Sequence, residues 1–457
     1  MQDPTATPTP PGTARSKQLH DDAVTVLPGG TSRTVHQTQP HPVYARDGQG
    51  AVVTDIDGNR YVDFYNNATS LIHGHAHPGI VAAIEEQARR GTAFSLPVEQ
   101  QVALALLLSD RIASVEQVRF ANSGSEAVML AIKAARAIAG RPKIAKVEGV
   151  YHGSADAVEV SLEPDPETWG SPEAPASVAY TTATPAGVLD SVVVLPFNDV
   201  DATVALVREH ANELAAVLID VLPMRLGFAA ARPDWIAAVR QVTREHGILL
   251  ISDEVVTFRL DHGGAQALHD FDADLTVLGK IIGGGLPVGA LAGPREFMRA
   301  FDGSSGRPAV PNAGTFNANP MTLAAGIAAL TALPPAEVHR INGLGDAVRR
   351  LAQATFDDLG VAAHASGAGS LFGLHMTDRR FEDYRAFWHA TVGDKQVKVR
   401  QRALYDGLRE RGILLTTGGV GAISTAMTDG EIDAFAAALA DTVSAMNRAG
   451  LWADGAG

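Results

Sequence analysis

Cysteine is absent from this chain of 457 residues. A chain without cysteine has no disulfide framework, no thiolate nucleophile and no cysteine-ligated zinc site, and its composition fits a cytoplasmic protein. Basic residues are also scarce, with 37 lysines and arginines against 51 acidic residues and a net charge of −14. A chain-wide basic surface for nucleic acid or anionic lipid is therefore excluded. Long apolar runs are missing as well, so we expect no membrane span.

The rest of the composition is that of a large folded protein. Hydrophobic residues make up 46% of the chain and charged residues 19%, which excludes global disorder. At roughly 100–200 residues per domain, the length predicts two to four domains. The first residues, MQDPTATPTPPG, lack the apolar core of a signal peptide and have little to bury. We therefore predict a disordered tail over residues 1–14.

Short apolar runs alternate with amphipathic helical patterns through the middle of the chain. Several of these runs are apolar throughout, as expected for strands buried on both faces of a parallel sheet. The strand candidates are Val118–Phe120, Lys143–Val147, Ala216–Ile219, Ile248–Ser252, Leu275–Leu278 and Ala290–Ala292. The helical patterns include Glu126–Ala139 and Asp234–Glu245. This alternation predicts an α/β layer with a mainly parallel sheet.

Beyond Pro320 the sequence changes to long helical segments rich in alanine and leucine. Helices are predicted over Met321–Leu333 and Glu337–Leu359, and a strand over Leu414–Ala426 precedes a closing helix over Glu431–Met446. We therefore divide the folded chain into an N-terminal segment (15–65), a large domain (66–325) and a smaller C-terminal domain (326–457).

The stretch from Ile248 to Gly285 carries the most informative chemistry. One apolar strand ends in Asp253, and a second is followed by Lys280 and a run of three glycines. The carboxyl ends of buried parallel strands are where α/β sheets bind ligands. Lysine and aspartate together suit pyridoxal phosphate chemistry, in which the lysine forms a Schiff base and the aspartate keeps the ring nitrogen protonated. For this pair of residues by itself, a structural interpretation is equally good: Asp253 caps a turn and Lys280 is a solvated surface lysine.

A second polar segment, ANSGSEA (121–127), follows a strand candidate and opens a helix. Ser123, Gly124 and Ser125 offer backbone N–H groups, hydroxyls and the positive end of the helix dipole, which suit a phosphate. An ordinary helix cap by Ser123 or Ser125 explains the same residues. The segment has neither the lysine of a Walker loop nor a GxGxxG fingerprint.

Three further segments place aromatic or polar residues near predicted strand or helix ends. Tyr151, in YHG (151–153), can stack on a flat ring or simply pack. The loop GTFNANP (314–320) offers another phosphate contact or only a turn. His73, His75 and His77 alternate as metal ligands can, but no HExxH-like cluster accompanies them, and we expect no metal.

Taken together and in this order, the segments resemble the class III aminotransferases of fold type I, the pyridoxal-phosphate enzymes that include ornithine and 4-aminobutyrate aminotransferases. The resemblance runs from about Leu27 to the last helix. PGGTSR (28–33) and TFNANPMT (315–322) are similar to the branch with glutamate-1-semialdehyde aminomutase and the β-amino-acid and D-phenylglycine aminotransferases. The segments that carry the resemblance are DIDGNRYVDF (55–64), HGHAHP (73–78), FANSGSEAVMLAIKAAR (120–136), YHG (151–153), ISDEV (251–255), LGKIIGGGLPVGALAG (278–293) and GTFNANPMTLAA (314–325).

This resemblance implies a fold, a cofactor and the residues that hold it. The fold is a fold type I transferase, with a large α/β domain around a mainly parallel sheet and a smaller α+β domain from both ends of the chain. The cofactor is pyridoxal 5'-phosphate. Lys280 becomes its Schiff-base lysine, Asp253 the partner of its ring nitrogen, Tyr151 the stacking residue and Val255 the contact on the opposite face. The phosphate cradle is formed by Ser123, Gly124 and Ser125.

The resemblance also implies a substrate contact and an assembly. Arg33 matches an arginine that holds the substrate carboxylate in this branch; without the match it would be read as a solvated loop residue. Thr315 matches a residue that reaches the phosphate of a neighbouring subunit, which implies a homodimer with shared active sites. The three histidines become part of a structural turn before a helix that begins near Pro78.

Two segments depart from the family pattern. Asp220-Val221 stands where the family usually has Glu-Pro. Residues 416–420 read TTGGV, where the β-amino-acid and D-phenylglycine enzymes carry a second substrate arginine, and the glutamate typical of the aminomutase is missing too. We expect the cofactor chemistry to survive. The second substrate stays open, because a keto-acid acceptor usually needs a cationic partner for its second carboxylate.

The implied activity is a pyridoxal-phosphate-dependent aminotransferase. It would move an amino group between an α- or β-amino acid, held by its carboxylate at Arg33, and a keto acid or aldehyde, with Lys280 as general base and acid. An aminomutase or amino-acid epimerase without an external acceptor is the alternative, and the missing second arginine motivates it. A non-catalytic protein that retained the fold is a third possibility, against which the intact Asp253, Lys280 and phosphate cradle argue.

Overall fold

The computed structural model describes residues 12–452, which form three sheets and the helices that cover them. The strands, β1 to β14 in chain order, are Ala45–Gln49, Val52–Asp55, Arg60–Asp63, Gln117–Ala121, Lys143–Val147, Val192–Leu195, Leu214–Ile219, Leu249–Asp253, Leu275–Gly279, Gly289–Gly293, His364–Ser366, Leu371–His375, Ile413–Leu414 and Val420–Ala422.

Helices of six residues or more are numbered α1 to α12. They are Ala14–Ala23, Pro78–Arg90, Glu99–Arg111, Gly124–Ala139, Val200–Glu209, Pro233–Glu245, Gly264–His269, Pro320–Thr331, Pro335–Asp358, Tyr384–Ala390, Lys395–Glu410 and Asp429–Arg448. Single helical turns lie at Asn66–Thr69, Asp156–Glu159, Ala186–Leu189 and Arg295–Met298.

The central sheet has seven strands in the order β4-β10-β9-β8-β7-β5-β6. Its strands from β6 to β9 pair in parallel, whereas β10 pairs antiparallel with both β9 and β4. The inner strands are buried along their whole length because helices cover both faces. The prediction of an α/β layer with a mainly parallel sheet is confirmed.

The predicted strands of this sheet are all present, with ends that differ by at most two residues. The prediction omitted β6, although Val192–Leu195 is an apolar run as long as those of other predicted strands. The helices predicted over Glu126–Ala139 and Asp234–Glu245 begin two residues and one residue earlier, at Gly124 and Pro233. Ser123 and Pro233 explain these starts, since a serine cap and a proline in the first turn both favour a helix N-terminus.

Two smaller sheets combine the ends of the chain. The first, β1-β2-β3-β13, joins three N-terminal strands to Ile413–Leu414, and the second is β11-β12-β14. The single strand predicted over Leu414–Ala426 is therefore wrong: it is two short strands in different sheets. A tight turn separates them, in which Gly419 N–H donates to the Thr416 carbonyl and Gly419 has φ +78°. That backbone conformation suits glycine and ends an extended strand.

One predicted domain limit falls inside a helix. Helix α8 runs through the limit at residues 325–326 and packs against α2 and α3 of the large domain, so it belongs to that domain as a whole. Helix α1 begins at Ala14, the last residue of the predicted tail, of which residues 1–11 lie outside the described part. Among the described residues no single helix is long and apolar enough to span a membrane, although α8 and α9 reach that length together across a 78° bend.

The histidine-rich segment forms a turn that joins the N-terminal part to the rest. His73 bonds to Thr425 and to the Ala329 carbonyl, each at 2.8 Å, and His75 Nε2 lies 2.8 Å from an Asp63 carboxylate oxygen. The following helix begins at Pro78. The structural turn before a helix that the sequence predicts is therefore observed.

Candidate active site

A cavity of about 670 Å³ opens at the carboxyl ends of β5, β7 and β8. This is the edge at which parallel α/β sheets bind ligands. The structure brings all the predicted site residues to its walls except Thr315. Those residues are Arg33, Ser123, Gly124, Ser125, Tyr151, Asp253, Val255 and Lys280.

Lys280 is the first residue after β9, and its side chain reaches the cavity. Its φ of +48° is rare for a residue with a side chain. Strained backbone of this kind persists where the surrounding structure fixes it, typically at functional sites. Burial of the amine lowers the pKa of Lys280 to about 8, although the nearby Asp253 and Asp220 carboxyls oppose this. A larger neutral, nucleophilic fraction is thus present at neutral pH than in an exposed lysine.

Asp253 is the last residue of β8 and is almost fully buried. One carboxylate oxygen accepts the Val255 N–H at 3.0 Å, and the other lies 2.7 Å from His152 Nδ1. A carboxylate only accepts, so the imidazole proton lies on Nδ1. His152 Nε2 is buried without a partner among the described residues, and burial lowers the pKa of His152. The imidazole of His152 and a backbone amide thus both donate to the side chain of Asp253.

His152 is a site residue that the sequence analysis missed. It follows Tyr151 in the YHG segment, but nothing local shows that its ring turns to a strand end 101 residues away. The usable signal was its place just after β5, at the same sheet edge as Asp253, with β7 between the two strands. Histidine near a buried carboxylate is a common way to orient that carboxylate.

The start of α4 forms the wall opposite the sheet edge. Ser123 caps the helix, its Oγ accepting the Glu126 N–H at 3.2 Å, and Ser125 Oγ accepts the Ser154 N–H at 3.2 Å. A methyl group on Gly124 would stand 3.0 Å from a Val255 methyl. The helix cap is therefore observed, and the first N–H groups and dipole of this helix would also suit an anion.

Tyr151 and Val255 both line the cavity, as the stacking prediction requires. The Tyr151 ring is 46% exposed, and the Arg225 guanidinium lies over it at 5.9 Å from the ring centre. Arg225 also pairs with Glu163. Glu254 is fully buried away from the cavity, where the N–H of Ala265 and the side chain of Gln266 bind it. Side chains at the end of β8 therefore alternate: Asp253 and Val255 face the cavity, and Glu254 faces the core.

Arg33 reaches the cavity from the N-terminal segment. Its guanidinium donates to Asn67 Oδ1 at 2.8 Å, and it forms no ion pair with an acidic residue of the described chain. Asn67 belongs to a left-handed turn in which Asn66, Asn67, Ala68 and Thr69 all have φ between +47° and +70°. Arg259 holds Thr69 in this turn by donating to its carbonyl at 3.1 Å.

Arg259 and the segment 416–420 do not reach the cavity. Arg259 is fully buried, and its other donors go to Ser370 Oγ and the Ile423 carbonyl. Thr315 lies exposed in the loop before α8, away from the cavity of its own chain. Asp220, the first residue after β7, does line the cavity.

Comparison with known proteins decides the family. The profile of the family Aminotransferase class-III matches residues 34–443. The chain belongs to this family. Glutamate-1-semialdehyde 2,1-aminomutase of Chloroflexus aurantiacus is 36% identical over 436 residues, which cover 92% of this chain and 94% of that protein. The predicted family and fold type I architecture are confirmed.

Solved structures agree with this assignment. An omega-transaminase from Sphaerobacter thermophilus is 45% identical and superposes with a TM-score of 0.90, covering 95% of this chain and 98% of that one. A transaminase with PLP bound is 41% identical with a TM-score of 0.88, covering 98% and 100%. This class III enzyme is a pyridoxal-phosphate-dependent aminotransferase, as predicted. The lysine, the buried carboxylate and the helix start around one cavity fit that cofactor.

Proposed function

We propose that this class III aminotransferase acts on an amino acid whose carboxylate binds Arg33. The observation that carries the proposal is the presence of Arg33 in the same cavity as Lys280 and Asp253. Arg33 has no acidic partner among residues 12–452, so its charge is available to a substrate anion. A guanidinium recognises a carboxylate through two parallel N–H donors.

Each residue of the cavity then has a defined task. Bound pyridoxal phosphate supplies an electron sink for the amino-bearing carbon of the substrate. Lys280 would hold the cofactor through its amine and would move a proton at that carbon as base and then acid. Asp253 would keep the ring nitrogen protonated, with His152 and the Val255 N–H donating to its side chain. Arg33 sets which substrate carbon faces Lys280.

Cofactor binding is assigned to the remaining walls. Ser123, Gly124 and Ser125 bind the phosphate, while Tyr151 and Val255 flank the ring. Sodium borohydride reduction of the holoenzyme followed by peptide mapping should place the pyridoxyl group on Lys280. A tag on Lys143 or Lys146 would contradict this assignment.

The same proposal includes a homodimer in which Thr315 completes the phosphate site of the partner. Thr315 is exposed, and so are large apolar side chains next to it in the sequence, on α3 and in the segment before α3, as at a protein interface. These apolar residues are Phe94, Leu96, Val102, Leu106 and Phe316. Sedimentation at assay concentration should show a dimer, and a fully active monomer would overturn this part.

The deciding experiment for the activity is a panel of α-, β- and ω-amino acids, each with and without a keto acid. We expect the visible absorbance of the bound cofactor to fall with a productive amino donor and to return when the acceptor is added. Donors that bear a carboxylate should exceed the matched amines. A protein without this absorbance, or without turnover of any amine, would refute the proposal.

The alternative is an aminomutase or epimerase that needs no acceptor. Two observations favour it: Arg33 is the only arginine among the described residues that line the cavity, and the C. aurantiacus relative is an aminomutase. Rearrangement or racemisation of one amino acid without a keto acid would establish it. An absolute requirement for an acceptor would exclude it.

A further inference from the structure

Asp220 is a second buried carboxyl in the active-site cavity. It directly follows β7, whose last residue, Ile219, pairs in parallel register with Ser252 of β8. Asp220 and Asp253 are therefore side by side at the ends of neighbouring strands. Both are 6% exposed, and both line the cavity with Lys280.

Hydrogen bonding differs between the two carboxyls. Asp253 receives a backbone N–H and the imidazole N–H of His152. Asp220 receives only the Leu222 N–H, at 2.9 Å on one oxygen, within the described residues. Donors stabilise the charged form of a carboxyl. The arrangement therefore stabilises the anion at Asp253 far more than at Asp220.

Charge around Asp220 acts in the same direction. Two adjacent buried carboxyls repel one another when both are ionised, so one of them keeps its proton. Burial first, and then the charges of Asp253 and Glu254, raise the pKa of Asp220 to about 8, while Lys280 and the Leu222 N–H oppose the rise. On the β5 side the buried titratable groups are Lys146, Glu148 and His152, and Arg385 pairs with Glu148 at 3.0 Å.

We propose that Asp220 is held as the neutral carboxylic acid beside the Asp253 anion, with its O–H directed into the cavity, and that its ionisation limits the enzyme on the alkaline side. Asp220 is thus a positioning residue that acts through Lys280. While neutral, it adds no second negative charge near the lysine amine. Once ionised, it stabilises the ammonium form of Lys280, which is the form that cannot accept a proton. This second step rests on the role proposed above for Lys280.

The first step can be tested on the apoenzyme by infrared spectroscopy of the carbonyl stretch of protonated carboxyls. The difference between wild type and Asp220→Asn should show a protonated-carboxyl band near neutral pH that disappears with a midpoint near 8. Glu254→Gln is the matched control, because Glu254 is a buried carboxyl that faces the core. Its spectrum should lose the band of Glu254 itself, whose pKa burial raises to about 7, and retain the Asp220 band with a somewhat lower midpoint, because Glu254 no longer raises the pKa of Asp220. Absence of a band specific to Asp220 would refute the proposal.

The second step is tested on the holoenzyme by titrating the absorbance of the bound cofactor with alkali. Wild type should show an alkaline step that Asp220→Asn lacks and Asp220→Glu retains, because glutamate restores a carboxyl at this position. A step of unchanged size in Asp220→Asn, with cofactor still bound, would refute the second step. If Lys280 has another role, borohydride mapping fails while the infrared band remains, so the two failures are distinguishable.

Discussion

Substitution of Arg33 tests the substrate assignment most directly. Arg33→Ala removes the guanidinium from the cavity and leaves Asn67 Oδ1 without its 2.8 Å donor. Hydrogen bonds to charged groups contribute roughly 1.5–3 kcal/mol. At about 1.4 kcal/mol per factor of ten, kcat/KM for an amino acid should fall about 10- to 150-fold. A decarboxylated amine has no carboxylate to lose contact with, so its kcat/KM should change little.

Three further variants separate charge, shape and position. Arg33→Lys should recover only part of the loss, since an ammonium cannot form the planar two-donor contact. Asn67→Gly keeps the left-handed backbone, where glycine is unstrained, but removes the amide that orients Arg33, and a loss of a few-fold is expected. Arg46→Ala removes an exposed arginine of β1 that does not line the cavity and serves as the control for charge alone.

The assay is the initial rate with a matched pair, one amino acid and its decarboxylated amine, for every variant. Cofactor absorbance should be unchanged in Arg33→Ala, because Arg33 is assigned to substrate and not to cofactor. Equal losses for the amino acid and the amine would refute the assignment and make Arg33 a structural residue. A loss in Arg46→Ala as large as that in Arg33→Ala would refute it as well.

Three other predictions concern the cofactor, the backbone and pH. His152→Phe leaves the Asp253 anion with one donor, so the rate should fall about five- to a hundredfold, with a changed pH dependence of the cofactor absorbance measured by titration. Ala68→Gly should raise the free energy of unfolding by up to about 1 kcal/mol in denaturant titration. Left-handed backbone costs a residue with a side chain roughly 1–2 kcal/mol, and this strain is relieved by glycine. The gain is reduced because glycine loses more backbone entropy than alanine on folding. Between the ordinary aspartate pKa of 3.8 and about 8, folded Asp220 retains a proton that the unfolded chain has released. Wild-type stability therefore falls as the pH rises through this window. Asparagine has no such proton, so the melting temperature of Asp220→Asn should exceed that of the wild type by an amount that grows with pH. A constant melting difference across that range would contradict the last of these.

The central sheet could be predicted from the sequence because its strands are buried on both faces. Continuous apolar runs such as Leu275–Leu278 mark such strands, and the polar residues that end them mark the ligand edge. The smaller sheets escaped prediction because their strands are two to five residues long and pair across the whole chain, as β3 does with Ile413–Leu414. No local pattern encodes such pairing.

Much of the site could be predicted because each strand end contributes one polar residue. Lys280, Asp253 and the start of α4 follow from that rule together with the family motifs. His152 and Asp220 did not follow, since their roles depend on a hydrogen bond and a strand register between distant segments. The left-handed turn at Asn66–Thr69 was also invisible, because only its two asparagines hint at positive φ.

The charges around the cavity bear on the second substrate. The resemblance places a second substrate arginine in segment 416–420, but this segment forms a tight turn outside the cavity. Arg259 donates its hydrogen bonds to Ser370 and to backbone carbonyls. Within the described chain, Arg33 is thus the one arginine that lines the cavity. A dicarboxylate acceptor would bring two anions to a cavity that already contains Asp253, and a buried carboxylate without a cationic partner is costly. The charge balance therefore favours an acceptor with a single carboxylate, or an aldehyde, over a dicarboxylate.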